Sequence, residues 1–287
     1  MVDSKVMTVN AYAKINLFLE VKEKLENGYH NLETVMQSVT LCDTLTAEKK
    51  KAGIDLECVC EGKQIKDNIV IKAALLFFER SGIDGGVDIK LIKRIPVESG
   101  LGGGSSDAAA TLYALNTLYG GALCDEVLYK TAKDIGADVP FCLKKGLCCA
   151  EGIGEILTDA GRLPDCHIVI TVGSHSVSTK KAFEELDRVT DRNTADKTAM
   201  MSAIERSDLS GICEALYNCF ELVNPASEVL KRLLLDNGAL AASLSGSGPS
   251  VFGIYDKKET AERSAETLKE LGYKAFICRP YYRSDEI

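Results

Sequence analysis

The segment that most limits what this chain can fold into is Pro96 to Ala109, which reads Pro-Val-Glu-Ser-Gly-Leu-Gly-Gly-Gly-Ser-Ser-Asp-Ala-Ala. Gly100, Gly102, Gly103 and Gly104 precede two hydroxyls and an acid, and an alanine-rich helical pattern follows through Tyr119. Glycine lets the backbone take conformations closed to other residues, so successive N–H groups can converge on one point. The unpaired N–H groups and positive dipole end of the following helix face that point too, which suits a phosphate. Spacing excludes other glycine-rich sites. A dinucleotide fingerprint needs glycines at relative positions 1, 3 and 6, yet counting from Gly100 or Gly102 the sixth position is Ser105 or Asp107. A Walker loop needs Gly-Lys before Ser or Thr, and no lysine lies between Arg94 and Tyr119. A flexible linker is the bland alternative, but a linker does not run straight into a patterned helix.

With 287 residues the chain is long enough for one large core or two ordinary domains. No apolar run approaches the ~20 residues of a membrane span, and the first residues lack a signal peptide's apolar core. A cytoplasmic protein without a membrane partner is expected. The net charge of −8 argues against a nucleic-acid partner, which draws on clustered Lys and Arg, so anionic ligands must be held locally. The eleven cysteines are odd in number and scattered without a CxxC, and only His30, His167 and His175 accompany them. Reduced, mostly buried thiols are therefore expected rather than zinc.

Taken in order, Val9 to Val21 alternates as a strand and places Lys14 and Asn16 on one face. Those two are either buried polar residues or the wet face of an edge strand. Asn27-Gly28 marks a turn with Tyr29 and His30 beyond it, and Leu32 to Leu45 and Ile54 to Val59 are further strands. Asp67-Asn68 caps a helix over 69–80, and Val87 to Ile95 is the strand that delivers the chain into the glycine loop. A helix over Asp125 to Ile135 ends at Gly136, and Ala137 to Phe141 reads as an apolar loop carrying Asp138. That aspartate is either solvated or functional. A hairpin over 146–157 closes the first half, and 159–165 is the candidate boundary. Helices over 179–186, 194–205, 209–217, 226–235 and 258–271 and strands over 167–172, 240–244, 250–255 and 273–278 follow, implying a sheet covered by helices. Leu244 to Ser250 is either a second anion nest or an ordinary turn.

Together these stretches resemble the GHMP kinase family of galactokinase, homoserine kinase, mevalonate kinase and phosphomevalonate kinase. Pro96 to Gly102 resembles its Pro-x-x-x-Gly-Leu-Gly signature. Ala13 to Leu17, Gly28 to His30, Gly136 to Pro140, Glu151 to Glu155 and Ser245 to Gly248 are similar to the branch that phosphorylates a cytidylyl methylerythritol in the non-mevalonate isoprenoid pathway. The resemblance covers nearly the whole chain in order.

It implies a two-domain α+β fold, with an N-terminal nucleotide-binding domain over 1–158 carrying a left-handed βαβ unit and a ferredoxin-like C-terminal domain over 159–287. The handedness runs against the general rule and rests on the resemblance alone. It further implies ATP with Mg2+, a small-molecule substrate, no nucleic acid, and a monomer or weak homodimer. Pro96, Gly100, Leu101, Gly102, Gly103, Gly104, Ser105 and Ser106 would hold the ATP phosphates, and Asn68, Ile69 and Lys93 the adenosine. Asp138 would take the proton from the attacking hydroxyl, and Lys14 would neutralise nearby charge. Asn16, Thr179, Tyr29, His30 and Phe183 would bind the substrate, with the base stacked on the aromatic rings and its edge read by His30. The sequence marks no convincing protein ligand for magnesium. Two departures stand out, Glu98 beside the phosphate loop and Lys180 where relatives often carry proline. The rival readings are another GHMP small-molecule kinase, which would not need Tyr29, His30 and Phe183, and a non-catalytic sensor, which would not need Lys14 and Asp138.

Overall fold

The structure is a computed structural model that describes residues 5–26, 28–60, 63–64, 69–173, 178–190 and 195–286. Its chain divides into two compact units, Met1–Ala13 with Cys42–Val97 and Gly102–Lys144, and Lys14–Leu41 with Glu98–Leu101 and Lys145–Ile287.

In the first unit the start of β1 (Val6–Lys24) and the end of β2 (His30–Lys50) are joined by β3 (Gly53–Cys60), β4 (Lys63–Gln64) and β5 (Gly86–Ile92). β5 runs antiparallel to β2 and parallel to β3, with Thr44 opposite Ile92 and Cys58 opposite Leu91. Val87, Ile89 and Leu91 are buried while Asp88, Lys90 and Ile92 face out, the two-residue period of a strand with one covered face. Four helices accompany the sheet: α1 (Ile69–Ser81), α2 (Gly103–Leu118), α3 (Asp125–Ile135) and α4 (Val139–Lys144). α1 buries Val70, Ala73, Ala74 and Phe77, a stripe at helical spacing. α2 packs against α1, α3 and α4, and its alanines Ala108, Ala109, Ala110 and Ala114 are all buried. A helix enclosed this way needs small residues, which explains the alanine-rich sequence. The stretch expected as an apolar loop instead forms α4, with Pro140 in its first turn, where the missing N–H costs nothing. The expected cap Asp67-Asn68 lies outside the described residues.

The second unit opens with the end of β1, the start of β2 and the hairpin β6 (Leu147–Glu151) with β7 (Ile156–Asp159). β6 pairs antiparallel with β2, Thr34 opposite Ala150. A four-stranded antiparallel sheet follows, built from β8 (His167–Val172) and three later strands. Between them come α5 (Thr179–Leu186), α6 (Thr198–Glu205), α7 (Leu209–Glu214), β9 (Tyr217–Asn218) and α8 (Ala226–Asp236). Then β10 (Ala241–Leu244), β11 (Ser250–Tyr255), α9 (Lys258–Glu270) and β12 (Lys274–Cys278) complete the sheet in the order β10-β11-β8-β12. Leu230, Leu234, Ala261, Ala265 and Leu268 from α8 and α9 meet Val169, Val251 and Ala275 in its core. The helix expected over 209–217 stops at Glu214, because Tyr217 and Asn218 pair in parallel with Phe18 and Leu19 of β1. Sequence periodicity cannot register such a distant partner. The eleven cysteines are thiols outside any disulfide, and all but Cys42, Cys60, Cys124 and Cys213 are buried.

Candidate active site

The glycine loop is fixed by different means in the two units. On the side of the first unit, Gly102 takes a left-handed conformation (φ 69°) and caps α2 without a side-chain hydrogen bond. The first bond within the turn runs from Ser106 N to Gly102 O at 2.8 Å, which leaves the N–H groups of Gly103, Gly104 and Ser105 without partners inside the helix. The Ser106 hydroxyl donates to the Tyr12 carbonyl at 2.5 Å. Behind the loop lies a buried charge cluster. The Lys93 ammonium donates to Asp107 at 2.6 Å and to Asp43, and these three side chains are 6%, 2% and 0% exposed respectively. Asp43 also accepts from the backbone N–H of Arg94 and, at 2.8 Å, of Ile95. One carboxylate thus holds the segment leading into the loop, another holds α2 leading out, and Lys93 joins them. Burial pushes the Asp107 carboxyl from 3.8 up to about 8, against the pull of Lys93, while the two carboxylates hold the Lys93 ammonium above its usual range despite its burial. A methyl group at Gly103 would sit 3.0 Å from Ile95 Cγ2 and 3.3 Å from Lys93 Nζ, so glycine also lets the clamp close.

On the side of the second unit, Gly100 is left-handed (φ 80°), and a Cβ there would lie 2.2 Å from the Ser245 carbonyl oxygen. Only glycine fits. Ser245 Oγ donates to Gly100 O at 3.1 Å, Ser250 N to Ser99 O at 3.1 Å and Lys14 N to Leu101 O at 2.9 Å. The Lys14 ammonium donates to Asn16 Oδ1 at 2.8 Å, and the same oxygen accepts from Gly246 N at 3.0 Å. Asn16 Nδ2 in turn donates to Thr34 Oγ1 at 2.9 Å. Of the two readings of Lys14 and Asn16, the buried polar one holds, at 5% and 2% exposed. The Leu244 to Ser250 stretch commits N–H groups to protein acceptors, Gly248 N to Ser245 O and Ser245 N to Ser250 O within it, and Gly246 N to Asn16 and Ser250 N to Ser99 outside it. It braces the glycine loop, as a turn, and is not a second anion nest.

Gly28 (φ 84°) forms the turn before Tyr29 and His30. Tyr29 is 59% exposed. His30 is buried and stacks on Phe183 of α5, ring centroids 5.0 Å apart at 25°. Its Nε2 meets Asp187 Oδ1 at 2.7 Å, and Lys24 holds Asp187 Oδ2 at 2.7 Å. Phe220 meets Phe183 edge-on at 4.9 Å. Thr179 starts α5, 3.3 Å from Ser247 Oγ. It shares a cavity of about 590 Å³ with Glu98, Gly100, Lys180, Lys181, Glu185 and Gly248. Glu98, itself left-handed (φ 53°), therefore shares a cavity with two lysines.

Asp138 belongs to the first unit, half-buried just before α4, and its carbonyl accepts from Cys142 N at 3.0 Å. Ile69 opens α1, with its Cγ2 3.7 Å from where a Cβ on Gly104 would stand. Asn68 lies outside the described residues. Pro96, Gly103 and Ser105 are half-buried, Gly104 is exposed and Leu101 is buried. Sequence reasoning missed Asp43, Asp107, Thr34 and Asp187. Asp107 carried a signal, as an acid inside an alanine run on a helix too apolar to have a wet face, whereas Asp43 and Asp187 lie far in sequence from the residues they hold.

Two family models match the chain, that of the GHMP kinases N terminal domain over residues 68–146 and that of the GHMP kinases C terminal over residues 200–274. Among curated relatives, the 4-diphosphocytidyl-2-C-methyl-D-erythritol kinase of Clostridium novyi (strain NT) is 39% identical, covering 95% of this chain and 99% of its own. That of Caldicellulosiruptor bescii is 40% identical, covering 92% and 94%. Among solved structures, a 4-(cytidine 5'-diphospho)-2C-methyl-D-erythritol kinase superposes with TM-score 0.80 at 32% identity, covering 95% of this chain and 98% of its own. A homoserine kinase from Cytophaga hutchinsonii shares the fold at TM-score 0.74 and 22% identity, covering 97% and 95%. With its two-domain α+β architecture and a glycine loop leading into α2, this chain belongs to the GHMP kinase family.

Proposed function

We propose that the chain transfers the γ-phosphoryl group of ATP to the 2-hydroxyl of 4-diphosphocytidyl-2-C-methyl-D-erythritol, giving the 2-phosphate and ADP, a step of the non-mevalonate route to isoprenoid precursors. The observation that carries this reading is the likeness to the Clostridium novyi kinase, which spans 95% of the chain and bears that substrate in its name. The uncapped start of α2 behind two left-handed glycines supports it, because such a cradle suits ATP phosphates.

Phosphoryl transfer asks for alignment and charge stabilisation more than covalent help. The loop N–H groups take the phosphates, and the 2-hydroxyl oxygen attacks the γ-phosphorus as the bridging oxygen leaves with ADP. Asp138 accepts the hydroxyl proton. Lys14, oriented by Asn16, offsets negative charge at the reacting group. Tyr29 stacks on the cytosine, with Phe183 as the second aromatic of the clamp, and His30 bonds the base edge. Ile69 and the Lys93 segment line the adenosine side. Among the described residues no three His, Cys, Asp or Glu side chains gather around a common point. In this reading magnesium would enter with ATP and offset the charge of its phosphates. No helix among the described residues is long and apolar enough to cross a membrane. The proposal places the work in the cytoplasm, on small molecules, by a monomer or weak homodimer.

The test is ADP release in a coupled assay with the cytidylyl substrate, set against mevalonate and homoserine. Turnover with the cytidylyl substrate alone is expected. Turnover with mevalonate or homoserine, or none with any of the three, overturns the reading.

A further inference from the structure

α5 and its C-cap Asp187 grip His30 at two points. Phe183 and Asp187 stand four residues apart, the spacing that puts two side chains on one helix face. Phe183 stacks on the imidazole at 5.0 Å and sets the plane of the ring, while Asp187 Oδ1 meets Nε2 at 2.7 Å and sets its rotation. The carboxylate is anchored independently, because Lys24 from the end of β1 donates to its other oxygen at 2.7 Å. Lys24, through that hydrogen bond, holds the Asp187 carboxyl below its usual range, with His30 adding to the effect. An ionised carboxylate only accepts hydrogen bonds, so Nε2 must carry a proton. In the neutral ring the second nitrogen, Nδ1, is then an acceptor.

We infer that Asp187 is a specificity-determining positioning residue: it holds His30 in the Nε2–H tautomer, so that Nδ1 accepts from the exocyclic amino group of cytosine and rejects uracil. The opposite tautomer would present a donor, which suits the C4 carbonyl of uracil and clashes with an amino group. Geometry and chemistry agree on this division. Phe183 holds the ring in place for any base, and Asp187 decides which base edge that ring can read. The inference rests on the reading that His30 meets the base edge, and the experiment separates the two.

Three variants are compared with wild type, His30→Ala, Asp187→Asn and Asp187→Ala, on the cytidine substrate and its uridine analogue. An amide at 187 can donate or accept, so Asp187→Asn keeps the shape and removes the dictate. The cytidine-to-uridine ratio of kcat/KM is expected to fall about tenfold in Asp187→Asn and Asp187→Ala, with KM for ATP unchanged. Independently, 15N spectra of the histidine rings, recorded at about pH 8.5, above the ordinary histidine range, are expected to show the Nε2–H form for His30 in wild type. His30 is assigned by its loss in His30→Ala, a simple task with three histidines in the chain. In Asp187→Asn the Nδ1–H form is expected to grow in. A wild-type His30 in the Nδ1–H form, or an unchanged base preference in both Asp187 variants while His30→Ala loses it, overturns the role of Asp187. Full cytidine preference in His30→Ala overturns both that role and the edge reading beneath it.

Discussion

The glycine loop and the Tyr29–His30 turn are built by opposite means. Around the loop the groups proposed to meet the ligand are backbone N–H groups, and the charges behind them are internal bracing, with Lys93, Asp43 and Asp107 each at most 6% exposed. Around the turn the groups proposed to meet the ligand are side chains, and the bracing pair Lys24–Asp187 is 55% and 32% exposed. A backbone cradle holds any phosphate, so it must be rigid and need not be selective. A side-chain site can tell one base from another, and bracing open to solvent suffices because each contact is local. The first region should therefore govern turnover and stability, and the second the choice of substrate.

The largest expected effect tests the turnover half. Asp138→Asn should lower kcat by about 10²–10⁴-fold, the usual contribution of a positioned general base, while calorimetry still detects both ligands. A wild-type-like kcat would remove Asp138 from the mechanism.

Next comes the bracing of the loop. Lys93→Met leaves the Asp43 carboxylate and the Asp107 carboxyl buried without their cation, a loss of about 3–5 kcal/mol in such sites, to be read from urea unfolding. The same cluster should make stability depend on pH, and the sign follows from Asp107. Its folded value of about 8 lies above the ordinary 3.8, so the folded chain keeps a proton there that the unfolded chain has lost. That contribution is complete below pH ~4 and is lost as pH rises through ~8. The Tm of wild type should therefore fall relative to that of Asp107→Asn across this window, and a constant difference would disprove the shift.

These braces mark where the sequence stopped being informative. Gly100 and Gly102 were legible because a left-handed backbone leaves glycine as its signature. The hairpin of β6 and β7 and the alternation of β5 were legible because their periods are local. The resemblance makes Lys93 an adenosine contact, but nothing local shows that its ammonium also lies between Asp43 and Asp107. Nothing within fifty residues of Asp43 announces that its carboxylate will bind Lys93, since only the pairing of β2 with β5 brings them together. For Tyr29 and His30 the residues alone mark only the far side of a turn, and it takes the resemblance to propose a base for them. The contact of His30 with Asp187 is visible only in the fold.

On the selective side, Tyr29→Ala should raise KM for the cytidylyl substrate about tenfold or more, from stacking worth roughly 1–3 kcal/mol at 1.4 kcal/mol per decade. KM for ATP should change little. An equal rise in both would mean that Tyr29 supports the fold rather than the base.

The smallest effect closes the comparison, because it sets two lysines against each other in one measurement. Lys24, like Lys93, donates to an aspartate, at 2.7 Å. Water competes for both members of the Lys24 pair, and such exposed pairs contribute about 0–1 kcal/mol. Lys24→Ala should thus shift the urea midpoint slightly, and about 1 M salt, with a screening length of about 3 Å, should erase the shift. The loss in Lys93→Met should survive the same salt, because ions do not reach a cluster sealed beneath α2. Should Lys24→Ala cost as much as Lys93→Met, or should salt weaken both alike, the division between a sealed brace and an open one fails.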